Sequence, residues 1–173
     1  MQTRKRGSQT PIKVTLRYLP NRLTRKDRKK QATMLLKSRR AYKQGKYYTR
    51  KPVKSYTSKK SSHVEDAKRI YHVNAIGATD ELAQKTGCSK EALERIIHKG
   101  EGAYYSSGSR PNQTAQSWGV ARLASTITSG KAAAVDYTIL EQGCKPGSKA
   151  LKLAKEAKKK YGYGKHRVPK TLI

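Results

Sequence analysis

The sequence predicts a mainly α protein, a small helical domain with extended cationic N- and C-terminal arms. Three observations lead there. Capped stretches with helical apolar spacing recur between positions 62 and 142, whereas a single short run alternates with period two. The 173 residues carry 40 Lys and Arg against 11 Asp and Glu, a formal charge of +29. That charge is unevenly placed: residues 1–64 hold 21 basic side chains and one acid, Asp27; residues 65–144 hold nine of each; residues 145–173 hold ten basic side chains and Glu156. Like charges at this density oppose compaction of the ends alone, so the ends are expected to be solvated or held against something negative. The division that follows is a basic N-terminal arm with one cationic helix (1–61), a neutral helical domain (62–144), and a basic C-terminal helix and tail (145–173).

Ile12, Val14, Leu16 and Tyr18 alternate with Lys13, Thr15 and Arg17 between Pro11 and Pro20. This is a short strand or an extended segment with one apolar edge, expected to pair with a partner or to lie on its own domain. Thr24 is an N-cap with Asp27 three residues on, opening a cationic helix from Arg25 to Gln44 that Gly45 stops. Its few apolar residues, among them Met34, Leu35 and Leu36, form one narrow stripe. Residues 46–62 read as irregular and extended. The centre opens on a capping box from Ser62 to Glu65 with a helix to His72. Thr79 caps a short helix ending at Gly87, and Ser89 caps another ending near Lys99, with Gly100 as its stop. After a loop from Glu101 to Gln113, Thr114 starts a helix through Thr128; Lys131 to Gln142 reads as one more, closed by Gly143. Ser148 caps a lysine-rich helix over 149–160, and the rest reads as tail. Leu82, Ala83, Leu93, Ile96, Ile97, Trp118, Val120, Ala121, Leu123, Ala124, Ile127, Val135, Ile139 and Leu140 are expected to form one small core, marginal for its size and helped by the flanks.

Several function classes drop out. No apolar run approaches the ~18 residues that cross a bilayer, and Met1–Arg6 lead into polar residues rather than a signal segment, so a soluble, non-secreted protein is expected. Cys88 and Cys144 are too few for a disulfide framework and are expected as free thiols. His63, His72, His98 and His166 lack metal-ligand spacing with the cysteines, and Ser106, Ser107 and Ser109 beside His98 and Glu101 make no triad by sequence alone. No catalysis, cofactor, metal or small-molecule substrate is expected. The sequon Asn112-Gln113-Thr114 is read as chance.

Binding is where the charge points. The candidate polyanion contacts are Arg25, Lys26, Arg28, Lys29, Lys30, Lys37, Arg39, Arg40, Lys43, Arg50, Lys51, Lys59 and Lys60 in the N-terminal arm, with Lys158, Lys159 and Lys160 near the other end. Tyr18, Tyr42, Tyr47, Tyr48, Tyr56, Tyr161 and Tyr163 are interleaved with them; cations neutralise phosphate while rings stack on bases or pack on protein. Nucleic acid without sequence preference therefore fits, an acidic protein scaffold fits almost as well, and a membrane fits least, because neither end has a long amphipathic face. A second candidate is the loop holding Ser107, Gly108, Ser109, Arg110, Asn112, Gln113 and Thr114. Its amides, the Arg110 guanidinium and the following helix N-terminus would hold a phosphate or a partner's carboxylate. The alternative is a structural loop with Tyr104 and Tyr105 packed on Trp118 and Arg110 tied to Asp136 or Glu141. Leu82 to Ser89 with Leu93 and Ile96 has the spacing of a helix-turn-helix, but Glu91 and Glu94 on the second helix repel phosphate, leaving a plain helical hairpin as the other reading.

Leu19-Pro20 with Leu23 to Gln31, Lys46 to Lys51, and Lys99 to Thr114 running on through Trp118 to Ser125 resemble a family of small basic proteins. Large double-stranded DNA viruses of algae and protists encode that family, with shorter relatives in tailed phages of marine cyanobacteria. The likeness covers nearly the whole chain and brings no catalytic residue with it. What it implies is a viral protein packaged in the virion and present in the host cell interior during assembly. Two readings follow: a non-enzymatic structural protein binding viral DNA through basic arms, or a minor capsid or cement protein on the inner face of the shell, its arms threading between capsid proteins.

Overall fold

The computed structural model describes residues 12–162 and 169–172; Met1–Arg6, Tyr163 and His166 lie outside the described residues. Helix α1 (Arg25–Lys43) begins as predicted, with the Thr24 hydroxyl accepting from Asp27 N at 3.2 Å. Its buried residues Gln31, Met34, Leu35 and Ser38 follow the i, i+3, i+4, i+7 stripe of a helix with one docked face. Helix α2 (Ser62–Tyr71) takes Ser61, not Ser62, as N-cap and has no side-chain cap bond. Helices α3 (Asp80–Thr86) and α4 (Lys90–Ser106) carry the expected caps, Thr79 and Ser89, and Gly87 turns between them at φ +75°.

Helix α4 overturns an expectation. It does not stop at Gly100 but runs through Gly100 and Gly102 to Ser106, so the predicted loop begins only at Ser107. The reason is the crossing with α5 (Ala115–Thr126). A Cβ on Gly100 would lie 2.7 Å from Gly119 Cα, and one on Gly119 would lie 2.6 Å from Ile97 O. Backbones meet at this distance only where both residues lack a side chain, and that packing offsets the ~1 kcal/mol a mid-helix glycine costs. Gly119→Ala is accordingly expected to push the helices apart and destabilise the protein by about 1–3 kcal/mol. Gly77→Ala, whose Cβ would meet nothing nearer than 4.0 Å, serves as the neutral control. Equal denaturation midpoints for the two variants would refute this account of the crossing.

The predicted helix over 131–142 is two, α6 (Lys131–Val135) and α7 (Tyr137–Gly143), broken at Asp136. The break turns Asp136 inward and leaves Val135, expected in the core, 45 % exposed. Helix α8 (Lys149–Tyr161) packs on α6 and α7, burying Ala150, Leu151, Ala154 and Ala157 in the same core as Leu82, Leu93, Ile96, Leu123, Ile127 and Leu140. The lysine-rich helix thus completes the central core rather than standing away from it.

Cys88 and Cys144 are bonded to each other, not free thiols. They oppose one another in a short antiparallel bridge, flanked by Ser89 N donating to Gly143 O at 2.7 Å and Lys145 N to Gly87 O at 2.8 Å. The turns entering α4 and leaving α7 are therefore joined.

The N-terminal segment builds a second cluster. Strand β1 (Lys13–Thr15) pairs antiparallel with β2 (Lys170–Leu172), Val14 opposite Thr171. The alternating segment finds its partner in the chain's own C-terminal end, part of which was expected as tail. Val14, Tyr18, Leu19, Leu23, Met34, Leu35, Val53 and Tyr56 bury together, and Trp118 of α5 packs against them. Tyr18 meets Trp118 edge to face at 6.2 Å.

Candidate polyanion-binding surface

Helical geometry sets the α1 surface. With the buried stripe on one side, Lys29 and Arg40 fall opposite it, Arg25, Lys26 and Lys43 beside them, and Lys30 and Lys37 on one flank. All seven are exposed. The 19 residues of α1 span about 28 Å, the length of roughly eight base-pair steps. Lys51, Lys59 and Lys60 in the segment after α1, and Lys159 and Lys160 at the end of α8, are exposed as well. Lys158 is half-buried, its ammonium 4.4 Å from the Tyr137 ring centre.

Three arginines of the candidate set are committed inside the fold. Arg28 donates to Leu19 O at 2.9 Å. Arg39, half-buried, donates to Ser107 O through Nε at 2.9 Å and Nη2 at 2.7 Å. Arg50 is only 6 % exposed: Nη1 donates to Ser38 Oγ at 2.8 Å and Tyr104 O at 2.9 Å, Nη2 to Ser109 Oγ at 2.8 Å, and the guanidinium lies 3.8 Å from the Tyr104 ring centre. Burial lowers its pKa, with the Tyr104 phenol acting in the other direction. No carboxylate faces it among the described residues. Tyr104 O and Ser107 O belong to the carbonyl end of α4, whose partial negative charge two guanidiniums satisfy in a planar fork that Lys does not offer. Arg50 is therefore a structural anchor and leaves the set of polyanion contacts.

The same geometry occupies the Ser107–Thr114 loop. Gly108 N donates to Ala103 O, and Ser109 Oγ donates to Arg110 O while accepting from Arg50. Gly108 sits at φ +131°, and a Cβ there would lie 2.8 Å from Leu35 Cδ2. Asn112, at φ +62°, acts as a short piece of backbone: Oδ1 accepts from Val53 N at 2.7 Å and Nδ2 donates to Val53 O and Tyr56 O. Thr114 caps α5 in a capping box with Ser117, whose hydroxyl donates to Gln113 Oε1 at 2.8 Å. The loop holds the N-terminal segment. Arg110 stays exposed; Arg122 and Lys99 make the bonds to Asp136 instead. Tyr104 packs under Arg50, and it is Tyr18 that meets Trp118.

Lys26, Lys30 and Lys54 converge on an open hollow of about 440 Å³ with Thr24, Asp27 and Ser55. Asp27 accepts from Ser55 N at 2.8 Å, and the Ser55 hydroxyl first, then this N–H and the nearby Lys30 and Lys26, hold its pKa below the usual value. A carboxylate among the lysines argues against a discrete phosphate pocket and for attraction spread along α1. Lys54, like Arg22 and Lys46, is an exposed cation outside the predicted set; the signal for it was present in the charge run, but not the hollow that gathers it. The exposed strip at the start of α4 carries Lys90, Glu91, Glu94 and Arg95, with no net charge, while Ala92, Leu93, Ile96, Gly100 and Tyr104 face the core.

Among the described residues no group of three or more His, Cys, Asp or Glu is placed to hold a metal ion, and no helix is long and apolar enough to cross a membrane. The fold and surface are those of a small basic α-helical protein with a cationic outer helix. The chain belongs to a family of unknown function, DUF5824, whose model matches residues 15–142. The match takes in α1 to α6 and all of α7 but Gly143, with the Arg50 anchor and the Asn112 loop, and leaves α8 and β2 beyond it. Neither a curated protein nor a solved structure matches the chain.

Proposed function

We infer that this is a non-enzymatic structural protein of a virion that binds a polyanion, the viral DNA, through the outer face of α1 and the cationic segment that follows it. One observation carries the reading. Residues 12–61 hold 18 Lys and Arg against Asp27 alone, and none of those cations forms an ion pair among the described residues, where the pairs are Lys68–Glu65, Arg69–Asp66, Lys90–Asp80, Lys99–Asp136 and Arg122–Asp136. Such a surface is completed by an external anion, and a rod of phosphates supplies one along the whole of α1. The viral setting rests on the resemblance of the Lys46–Lys51 and Lys99–Ser125 stretches.

The test is a duplex DNA titration followed by anisotropy at increasing salt. Affinity is expected to fall by ~10³ between about 50 and 200 mM salt for six phosphate contacts. Lys29→Gln with Arg40→Gln is expected to lower the slope of log affinity against log salt by about two, with thermal stability unchanged. A flat salt response overturns the reading. Cross-links to capsid protein from intact particles, with no nucleic acid recovered, would favour a minor capsid or cement role on the inner shell.

A further inference from the structure

At the far end of α1 the cationic surface changes character. Tyr42 in the last turn of α1, Tyr47 just after the Gly45 turn, and Tyr105 in the last turn of α4 stand in a row, with ring centres 6.3 Å and 5.0 Å apart. Tyr105 meets the buried Tyr104 edge to face at 5.0 Å, and Tyr104 lies against Arg50. The row is thus footed on the anchor that fixes α4 to the N-terminal segment. At its outer end Tyr47 is 72 % exposed and Tyr42 39 % exposed. Lys46 N donates to Ala41 O at 2.8 Å, setting the turn that presents Tyr47, and the exposed Arg40, Lys43 and Lys46 flank the rings in the chain. The facing helix contributes one acid one turn below Tyr105, Glu101, half-buried against Gly119.

A large ring held at 72 % exposure, braced by two others and with exposed cations beside it in the chain, offers a face on which a flat partner can stack. Duplex DNA presents phosphates to such a surface and keeps its base faces covered; single strands present both. We propose that the Tyr42–Tyr47–Tyr105 row is a stacking platform for unpaired bases, so that the protein prefers single-stranded nucleic acid. The proposal rests on the polyanion reading above and deepens it: the α1 cations hold the backbone, and Tyr47 takes a base. Preorganisation favours it, because the ring is already positioned before the strand arrives.

Three probes separate the proposal from the reading beneath it: a 20-mer of oligo(dT), a duplex of equal length, and inorganic polyphosphate, which has charge and no bases. At one salt concentration oligo(dT) is expected to bind more tightly than the duplex. Tyr47→Ala is expected to weaken oligo(dT) binding by about 5- to 150-fold, with Tyr47→Phe retaining wild-type affinity and polyphosphate binding unaffected by either. Equal binding of both DNAs with Tyr47→Ala silent overturns the platform and leaves the polyanion reading intact. Loss of polyphosphate and DNA binding together, in wild-type protein, overturns both. Tyr47 is solvent-exposed and its substitution leaves both buried clusters complete.

Discussion

Asp136→Ala is expected to destabilise the protein by about 3 kcal/mol, the lower end of what breaking a buried ion pair costs. Its carboxylate is the most enclosed charge in the described chain, with a side chain that is 0 % exposed. Arg122 donates to both oxygens, Nε to Oδ2 at 2.9 Å and Nη2 to Oδ1 at 2.8 Å; Lys99 Nζ lies 2.6 Å from Oδ1, and the Thr126 hydroxyl 3.1 Å from Oδ2. These partners come from α4 and α5, so one side chain ties both to the α6–α7 junction. Removing it strands Arg122, whose side chain is 21 % exposed, whereas Lys99 at 46 % turns to water, which is why the lower end applies. Burial alone would raise the Asp136 pKa, but the Arg122 and Lys99 bonds outweigh it and hold the value below the ordinary 3.8. A folded pKa below the unfolded one gives stability that is complete above about pH 4 and is lost as pH falls through the folded value. The stability difference between wild type and Asp136→Asn is therefore expected to stay constant from neutral pH down to about pH 4 and shrink below it. A difference that is unchanged down to pH 2 would show that the Asp136 charge is not what stabilises the fold, and one absent at pH 7 would show that the cluster does not stabilise it at all.

The same residue shows why part of this structure was legible in the sequence and part was not. Caps are local chemistry, a hydroxyl and an amide three residues apart, and Thr24, Thr79, Ser89 and Thr114 each cap the helix expected of them. The end of α4 and the break at Asp136 are not local. Gly100 reads as a stop unless Gly119 is known to cross it, and Lys131–Gln142 reads as one helix unless Arg122 and Lys99 are known to draw Asp136 inward. Charge misleads in a related way. Arg50 sits in the same basic run as Lys51 and Lys54, and nothing in the run distinguishes the one side chain that caps α4 from those left in water. The loop after α4 looked built for an anion because anchoring a cationic segment takes the same hydroxyls and amides. Its carbonyls and the Ser109 hydroxyl meet guanidiniums of its own chain, so the charge left for an external anion lies on α1.

Removing the Cys88–Cys144 bond, by reduction or by paired serine substitution, is expected to be the largest single loss of stability. The two cysteines are 56 residues apart. Cross-linking a loop of that size removes about 4 kcal/mol of unfolded-chain entropy in the chain-entropy model. The closed segment contains α4, α5, α6 and α7, so the constraint falls on the chain that supplies most of the central core. The protein is expected to unfold at a clearly lower denaturant concentration in the presence of reductant, and wild type under reductant should match the double serine variant. An unchanged midpoint would mean the two thiols are not bonded in solution. Because the cations of α1 and the segment after it lie outside the closed loop, the reduced protein at low temperature, while still folded, is expected to keep its affinity for DNA. Stability and binding would then respond to different treatments, reductant for the first and salt for the second, and a loss of binding on reduction under folded conditions would instead mean that the anion surface depends on the closed segment beyond the Tyr105 brace.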